Sequence, residues 1–425
     1  MTALKWIATT LILIIFWLAV VVYGALSGWW LKAIAPTNDS KQFISAIDSK
    51  VEQTMTAGRA GNVIWAVLKD GEVRHRSSAY SSDGINEQTL FPAASMSKLI
   101  TAYAVLLMLE EFSIDLDEPI VNRLTRWQLP AGEYNHKVTL RHLLSHTAGL
   151  TDSLGFGDYQ PQATLPSLEQ SLSNPLAANG SAEIKVTQPP GQQWAYSGGG
   201  YLLMELLVEE ITGVSFEQWV QSRVFDPLDM NRSTYDYLGD QTNISQSYNA
   251  NGQLAPLFQY ASPAATGLNT TLADLTKFAQ ALMQTEQQPF AQQMQQATGF
   301  KAGAAIWGLG AMLYAPTEQG SFVFGHDGSN DPAINATLRI NPATHSALIA
   351  LTTGPKYLAS EIGYEWTLWQ TGLPDFLHLD TAFNSAVVPA VVGLTVIIGL
   401  LVFAAWWRTQ FQRSLPSKAS PIPAL

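Results

Sequence analysis

The hydrophobic pattern divides the chain into three. Residues 6–31 (Trp6 to Leu31) and 386–407 (Ala386 to Trp407) carry no charge, and each is as long as the ~20 apolar residues a helix needs to cross a bilayer. Between them the periods are those of a globular domain, without internal repeats. Phe43, Ile44, Ile47, Val51 and Met55 lie along one stripe and predict a helix over 39–58. Val63–Leu68 and Glu72–His75 flank Lys69-Asp70-Gly71, and an Asp-Gly between strand-forming runs is a hairpin signal. Helical spacing returns through Leu99, Tyr103, Leu106 and Leu107, predicting a helix from Ser95 to Glu111. Further helices fit Leu140–His146 (ended by Gly149), Tyr201–Thr212 (ended by Gly213) and Leu272–Met283. Residues 284–298 are rich in glutamine and read as a surface helix or loop. Phe322–Phe324, Ala336–Ile340 and Ala347–Leu351 then read as successive strands, with Asn341-Pro342 and nearby glycines as turns. Strands at both ends with helices between predict an α/β (α+β type) domain, in which one sheet is built from both ends and a helical lobe is inserted.

Charge fixes an orientation for the two apolar runs. All 34 acidic residues lie between Asp39 and Asp380, whereas the flanks hold only Lys5, Lys32, Arg408, Arg413 and Lys418. Lys5 with the amino terminus, and the three basic residues after Trp407, should stay cytoplasmic. Residues 33–385 then lie outside. Aromatic pairs (Trp29-Trp30, Trp406-Trp407) suit the two interfaces. The reading is an N-terminal transmembrane segment over 1–32, a domain over 38–380, a transmembrane helix over 386–407 and a short cytoplasmic tail over 408–425. A cleavable signal peptide, with Ala25-Leu26-Ser27 as its small-residue site, is the alternative for the first run. The middle carries 18 basic and 34 acidic residues, which argues against nucleic acid as a partner. The chain has no cysteine, so thiol nucleophiles, cysteine zinc sites and disulfides are excluded.

Four polar runs carry candidate chemistry. Ser95-Met96-Ser97-Lys98 opens a helix after Phe91-Pro92-Ala93-Ala94. Positions i and i+3 share a helix face, so hydroxyl and amine meet there. A lysine becomes the base that a serine nucleophile needs when burial lowers its pKa. Read alone, the same residues fit an N-cap and a solvated lysine better than a catalytic pair. Tyr196-Ser197-Gly198-Gly199-Gly200 is a tight loop that lets backbone approach a ligand and places a phenol fit for proton relay. Alone it is equally a glycine-rich turn with a packed tyrosine. Gly325-His326-Asp327-Gly328-Ser329-Asn330 follows an apolar strand and presents His326, although a lone histidine is usually structural. Thr139–Leu150 holds His142 and His146 four residues apart. No glutamate stands beside His142 to complete a zinc-hydrolase motif, so no metal or other cofactor is expected.

In order and spacing these runs resemble the serine β-lactamase and penicillin-binding superfamily, nearest the branch of class C β-lactamases, D-alanyl-D-alanine carboxypeptidases and related esterases. The resemblance spans about residues 40–375 and includes the Asp70-Gly71 hairpin, the Ser95-x-x-Lys98 element, the His142–Leu150 run, the Tyr196 loop and the His326-x-Gly328 loop. It implies an antiparallel sheet flanked by helices, a helical lobe, and a site between lobes. It implies Ser95 as nucleophile, Lys98 as its base, Tyr196 as proton relay, and His326 holding Tyr196 and a substrate carboxylate or polar group. Gly198, Gly328 and Ser329 would contact substrate, with the Ser95 and Ser329 N–H groups as oxyanion hole. A cationic His326 would make binding of an anionic substrate weaken as pH rises. The family often has asparagine where this chain has Gly198, which counts against efficient β-lactam turnover. The implied activity is cleavage of small ester or peptide substrates through a Ser95 acyl-enzyme, with the cell envelope as a candidate source of substrate. A slowly deacylating penicillin-binding sensor and a true β-lactamase are the alternatives.

Overall fold

A computed structural model describes residues 3–414 except 38, 57–59, 81–83, 151, 153–158, 162, 175, 178–179, 182, 237–241 and 285–288. The chain forms two compact units, one of residues 33–371 and one of the two terminal segments.

The larger unit is organised by an eight-stranded antiparallel sheet. Its strands are β1 (Asn62–Lys69), β2 (Glu72–Tyr80), β3 (Gly299–Lys301), β4 (Ala304–Trp307), β5 (Met312–Pro316), β6 (Phe322–Asn330), β7 (Ile334–Asn341) and β8 (Ser346–Thr353). The order is β2-β1-β8-β7-β6-β5-β4-β3. The N-terminal hairpin thus joins a C-terminal meander, as the strand pattern predicts. Asp70 (φ 53°) and Gly71 (φ 77°) both take left-handed backbone in the β1–β2 turn, the hairpin conformation that Asp-Gly favours. Alternation along β1 sends Ile64, Ala66 and Leu68 to the main core.

Helices α1 (Ser40–Thr56), α2 (Ser97–Glu111), α3 (Leu140–Leu144), α4 (Gly199–Thr212), α5 (Leu272–Met283) and α6 (Leu358–Thr371) complete the frame. Helix α6 packs on β7 and β8 and meets α1, where Phe43 stacks on Trp369 with ring centroids 4.7 Å apart. Helix α2 buries 12 of its 15 residues, so it is apolar nearly all round and central. The predicted helix from Ser95 divides in two: a 3₁₀ turn over Ala94–Met96 precedes the α-helix from Ser97. Helix α3 ends at Leu144 rather than His146, because His146 takes left-handed backbone (φ 55°) that stops the ladder. Strands β3 to β5 were not legible in the pattern.

In the smaller unit, helices Ala3–Leu26 and Val387–Ser414 are long and apolar enough to cross a membrane. Ile12, Phe16, Val388 and Val402 are exposed on them, while Val21 and Ala25 pack with Ala386. Of the predicted 408–425 tail, residues 415–425 lie outside the described residues.

Candidate active site

The chain reaches Ser95 under constraint. Phe91-Pro92 pairs antiparallel with Asn269-Thr270, and Ala93 N–H donates to the Leu268 carbonyl at 2.9 Å. Ala94 is then left-handed (φ 48°), a conformation costing a non-glycine residue about 1 kcal/mol. It lifts Ser95 into the first turn, half-buried at the foot of α2.

Of the polar residues that α2 buries, Lys98 and Thr101 are latched to one turn, Pro263–Thr266, and Ser97 to the chain on either side of the serine turn. Ser97 Oγ donates to the Ala94 carbonyl at 2.6 Å and accepts from Leu268 N–H at 3.0 Å. Thr101 Oγ1 donates to the Ala264 carbonyl at 2.7 Å. Lys98 Nζ donates to the Ala265 carbonyl at 2.7 Å and lies 3.4 Å from Ser95 Oγ. Ala264 N–H is held at 3.2 Å by Glu205, a carboxyl whose pKa burial pushes well above the usual range. Asn330 at the end of β6 reaches Thr266 Oγ1 at 2.9 Å.

Lys98 is buried, and desolvation lowers its pKa from 10.5 to about 7, with the carboxylate of Asp152 opposing that fall. The amine therefore exchanges its proton near neutrality. Tyr196 shares a hydrogen bond with Ser95, yet burial pushes its phenol well above its ordinary value. Its ring centroid is 5.1 Å from Lys98 Nζ, and that of Tyr201 is 5.2 Å away. Two candidate bases thus flank the hydroxyl, but only the lysine is appreciably deprotonated at neutral pH; the phenol remains a donor.

The Tyr196 loop is clamped by His146, which sequence reasoning weighed only as a metal ligand. The His146 carbonyl accepts from Ala195 N–H at 2.8 Å, and Nδ1 accepts from Ser197 N–H at 3.1 Å. Its ring lies 4.3 Å from that of Tyr196 at an interplanar angle of 33°. Trp307 closes the pocket edge-on to both His146 and Tyr196. His142 serves elsewhere, with its Nδ1 facing Thr139 Oγ1 at 3.0 Å in the capping box that starts α3.

Asp152 was also missed, since nothing in its spacing links it to residues 45 positions away. Its Oδ1 accepts from Ser197 Oγ at 2.7 Å and its Oδ2 from Gly199 N–H at 2.8 Å. Ser197 Oγ in turn accepts from Gly200 N–H at 2.8 Å.

Strand β6 supplies the facing wall. A Cβ on Gly328 would come within 2.1 Å of the Ala93 carbonyl and 3.1 Å of Ser95 N, so glycine there lets the strand lie against the serine turn. Ser329, next along, is exposed. His326 is wholly buried, with Nδ1 2.6 Å from the Asp327 carbonyl and no partner for Nε2 among the described residues. Desolvation, then the charge of Lys98, lowers its pKa to about 3. A neutral imidazole without exposed surface does not offer the cationic grip on an anionic substrate that the resemblance implied. On the opposite face of β6, Asp327 accepts from Arg339 at 3.1 Å and Tyr314 at 2.7 Å, and also from Thr337.

A half-buried serine, a buried lysine one helical turn on and a clamped tyrosine, set against an antiparallel sheet with flanking helices, are the architecture of the serine β-lactamase and penicillin-binding superfamily. Residues 47–371 match the Beta-lactamase family model, and the chain belongs to that family. It is 27% identical over 184 residues to penicillin-binding protein 4* of Bacillus subtilis (strain 168), covering 42% of this chain and 37% of that protein. The chain thus spans well under half the length of that relative. The fold is similar to that of an octameric penicillin-binding protein homologue from Pyrococcus abyssi (TM-score 0.63, 22% identity, 74% of this chain and 75% of that one). It is also similar to D-amino acid amidase from Ochrobactrum anthropi SV3 (TM-score 0.60, 20% identity, 81% and 99%). Family and neighbours together define a chain of the β-lactamase family with the fold those structures share.

Proposed function

We propose that the protein cleaves small ester or amide substrates through an acyl-enzyme on Ser95, from a domain anchored at the outer face of the cell membrane. The observation that carries this reading is the buried Lys98 amine, 3.4 Å from Ser95 Oγ, with its pKa brought to about 7. In its neutral form Lys98 takes the Ser95 proton as Oγ attacks the carbonyl carbon. The oxygen of the tetrahedral adduct faces the Ser95 and Ser329 N–H groups, which Gly328 allows to come close. Tyr196, held protonated, gives its proton to the leaving group and recovers one from Lys98. Water then releases the acyl group with the roles reversed. His326 supports this wall as a neutral group behind the reacting atoms. Gly198 brings no side chain to the substrate, consistent with esters and simple amides rather than β-lactams.

The anchoring part of the proposal rests on the two apolar helices and on the basic flanks around an acidic domain. The test is a turnover screen of the full chain in detergent against p-nitrophenyl esters, D-amino acid amides, D-Ala-D-Ala peptides and nitrocefin. Release from an ester or amide that vanishes in Ser95→Ala supports the reading. Equal rates in parent and variant reject it.

A further inference from the structure

The loop that carries Tyr196 has no side chain of its own to hold the lysine, because Gly198, Gly199 and Gly200 follow one another. A carboxylate from elsewhere in the chain ties this loop down. Asp152 is almost fully buried and spends both oxygens on the loop, one on Ser197 Oγ and one on Gly199 N–H. The fit is tight: a Cβ on Gly199 would stand 3.1 Å from Asp152 Cγ and 2.8 Å from the Ile184 side chain. Among the described residues, the charges that act on Lys98 and its neighbours come from several elements. They are Asp152, His146 after α3, His326 on β6, and Tyr196 and Tyr201 at the start of α4. Both imidazoles are held neutral by burial, and the phenols stay protonated. Asp152 is the carboxyl of this set; burial raises its pKa, and the hydrogen bonds from Ser197 and Gly199 oppose that rise by favouring the carboxylate.

Resting on the hydrolase reading above, we propose that Asp152 is a positioning residue which anchors the Tyr196 loop and supplies the counter-charge for Lys98 once it has taken the Ser95 proton. As the Ser95 O–H bond breaks and an N–H bond forms on Lys98, the ammonium appears in a desolvated pocket, where an unpaired charge is costly. The fixed carboxylate offsets that cost, so its effect falls on the proton-transfer step.

The test separates charge from shape. Asp152→Asn keeps an acceptor for Gly199 N–H and an amide for Ser197 Oγ but removes the charge. With a p-nitrophenyl ester and the full chain, its plateau kcat/KM should fall about tenfold or more. The acid limb of its pH profile should also move down by about one unit, since Lys98 loses the group that raises its proton affinity. Ser197→Ala cuts one link and leaves the charge: turnover should fall while the limb stays. An unmoved limb in Asp152→Asn overturns the counter-charge role, as does an equal shift in both variants. Parental turnover in Ser197→Ala overturns the anchoring role, whether or not Asp152→Asn folds. Lys98 titration by NMR of ¹³C-lysine-labelled protein, parent against Asp152→Asn, reads the same shift without catalysis. A shift there in a chain that never labels at Ser95 would sink the hydrolase reading, and with it the catalytic role of Asp152, while an absent shift in a chain that does label would sink the counter-charge role alone.

Discussion

At the scale of single residues, the proposed chemistry depends on which group beside Ser95 gives up its proton first. Lys98 titrates near 7 while Tyr196 stays protonated well above that. For a base that works neutral, kcat/KM should therefore rise with pH and level off above about 7, as a pH–rate profile on any turned-over ester will show. Lys98→Ala should lose about 10²–10⁴ in rate, the usual worth of a general base. His326 titrates far lower, so it should add no inflection to substrate binding from about pH 5 to about pH 9; a KM that follows imidazole titration there would contradict its neutral role. Ser95 and Lys98 were legible in the sequence because helical geometry puts i and i+3 on one face, a local rule. His146, Asp152 and the Ala265 carbonyl were not. Each acts across 45 or more residues of chain, through a backbone atom or a side chain whose sequence neighbourhood carries no signature.

At the scale of elements, β6 is the critical strand because opposite faces of it do different work. His326 turns toward the lysine and Gly328 lies against the serine turn. Asp327, between them, points the other way into a buried network with Arg339, Tyr314 and Thr337. Arg339 is capped further by Thr367 of α6 at 2.9 Å. Removing one member of such a pair strands the other charge in the core, at a cost of about 3–5 kcal/mol. Asp327→Ala should lower the denaturation midpoint by a corresponding amount and weaken turnover with it; equilibrium unfolding in urea checks this. The long strands β1, β7 and β8 and the helices α2, α4 and α5 could be read because their apolar periods run unbroken, whereas β6 could be read only over Phe322–Phe324, its Gly325–Asn330 half being polar and reading as a loop. Strands β3 to β5 could not. They are three to five residues long and separated by Ala302-Gly303 and by Gly308 and Gly310, so no period develops before a turn interrupts it.

At the scale of the whole molecule, the unmatched feature is the pair of apolar helices outside the family domain. With acid confined between Asp39 and Asp380 and only basic residues on the flanks, the proposed topology places the hydrolase outside and both chain ends inside. The absence of native cysteine makes this easy to check. An impermeant maleimide on intact cells should label Ser78→Cys, on the exposed edge strand, and should reach Thr409→Cys only after permeabilisation. Fold class and family were legible from the sequence at this scale because several separated motifs had to agree at once.

Covalent capture by a serine-reactive fluorophosphonate, followed by intact mass spectrometry and peptide mapping of the full chain, tests the central claim most directly. The account predicts a single adduct on Ser95, formed faster as pH rises through about 7 and lost in Ser95→Ala. An adduct that persists in Ser95→Ala, or a parent chain that takes up none, would contradict it.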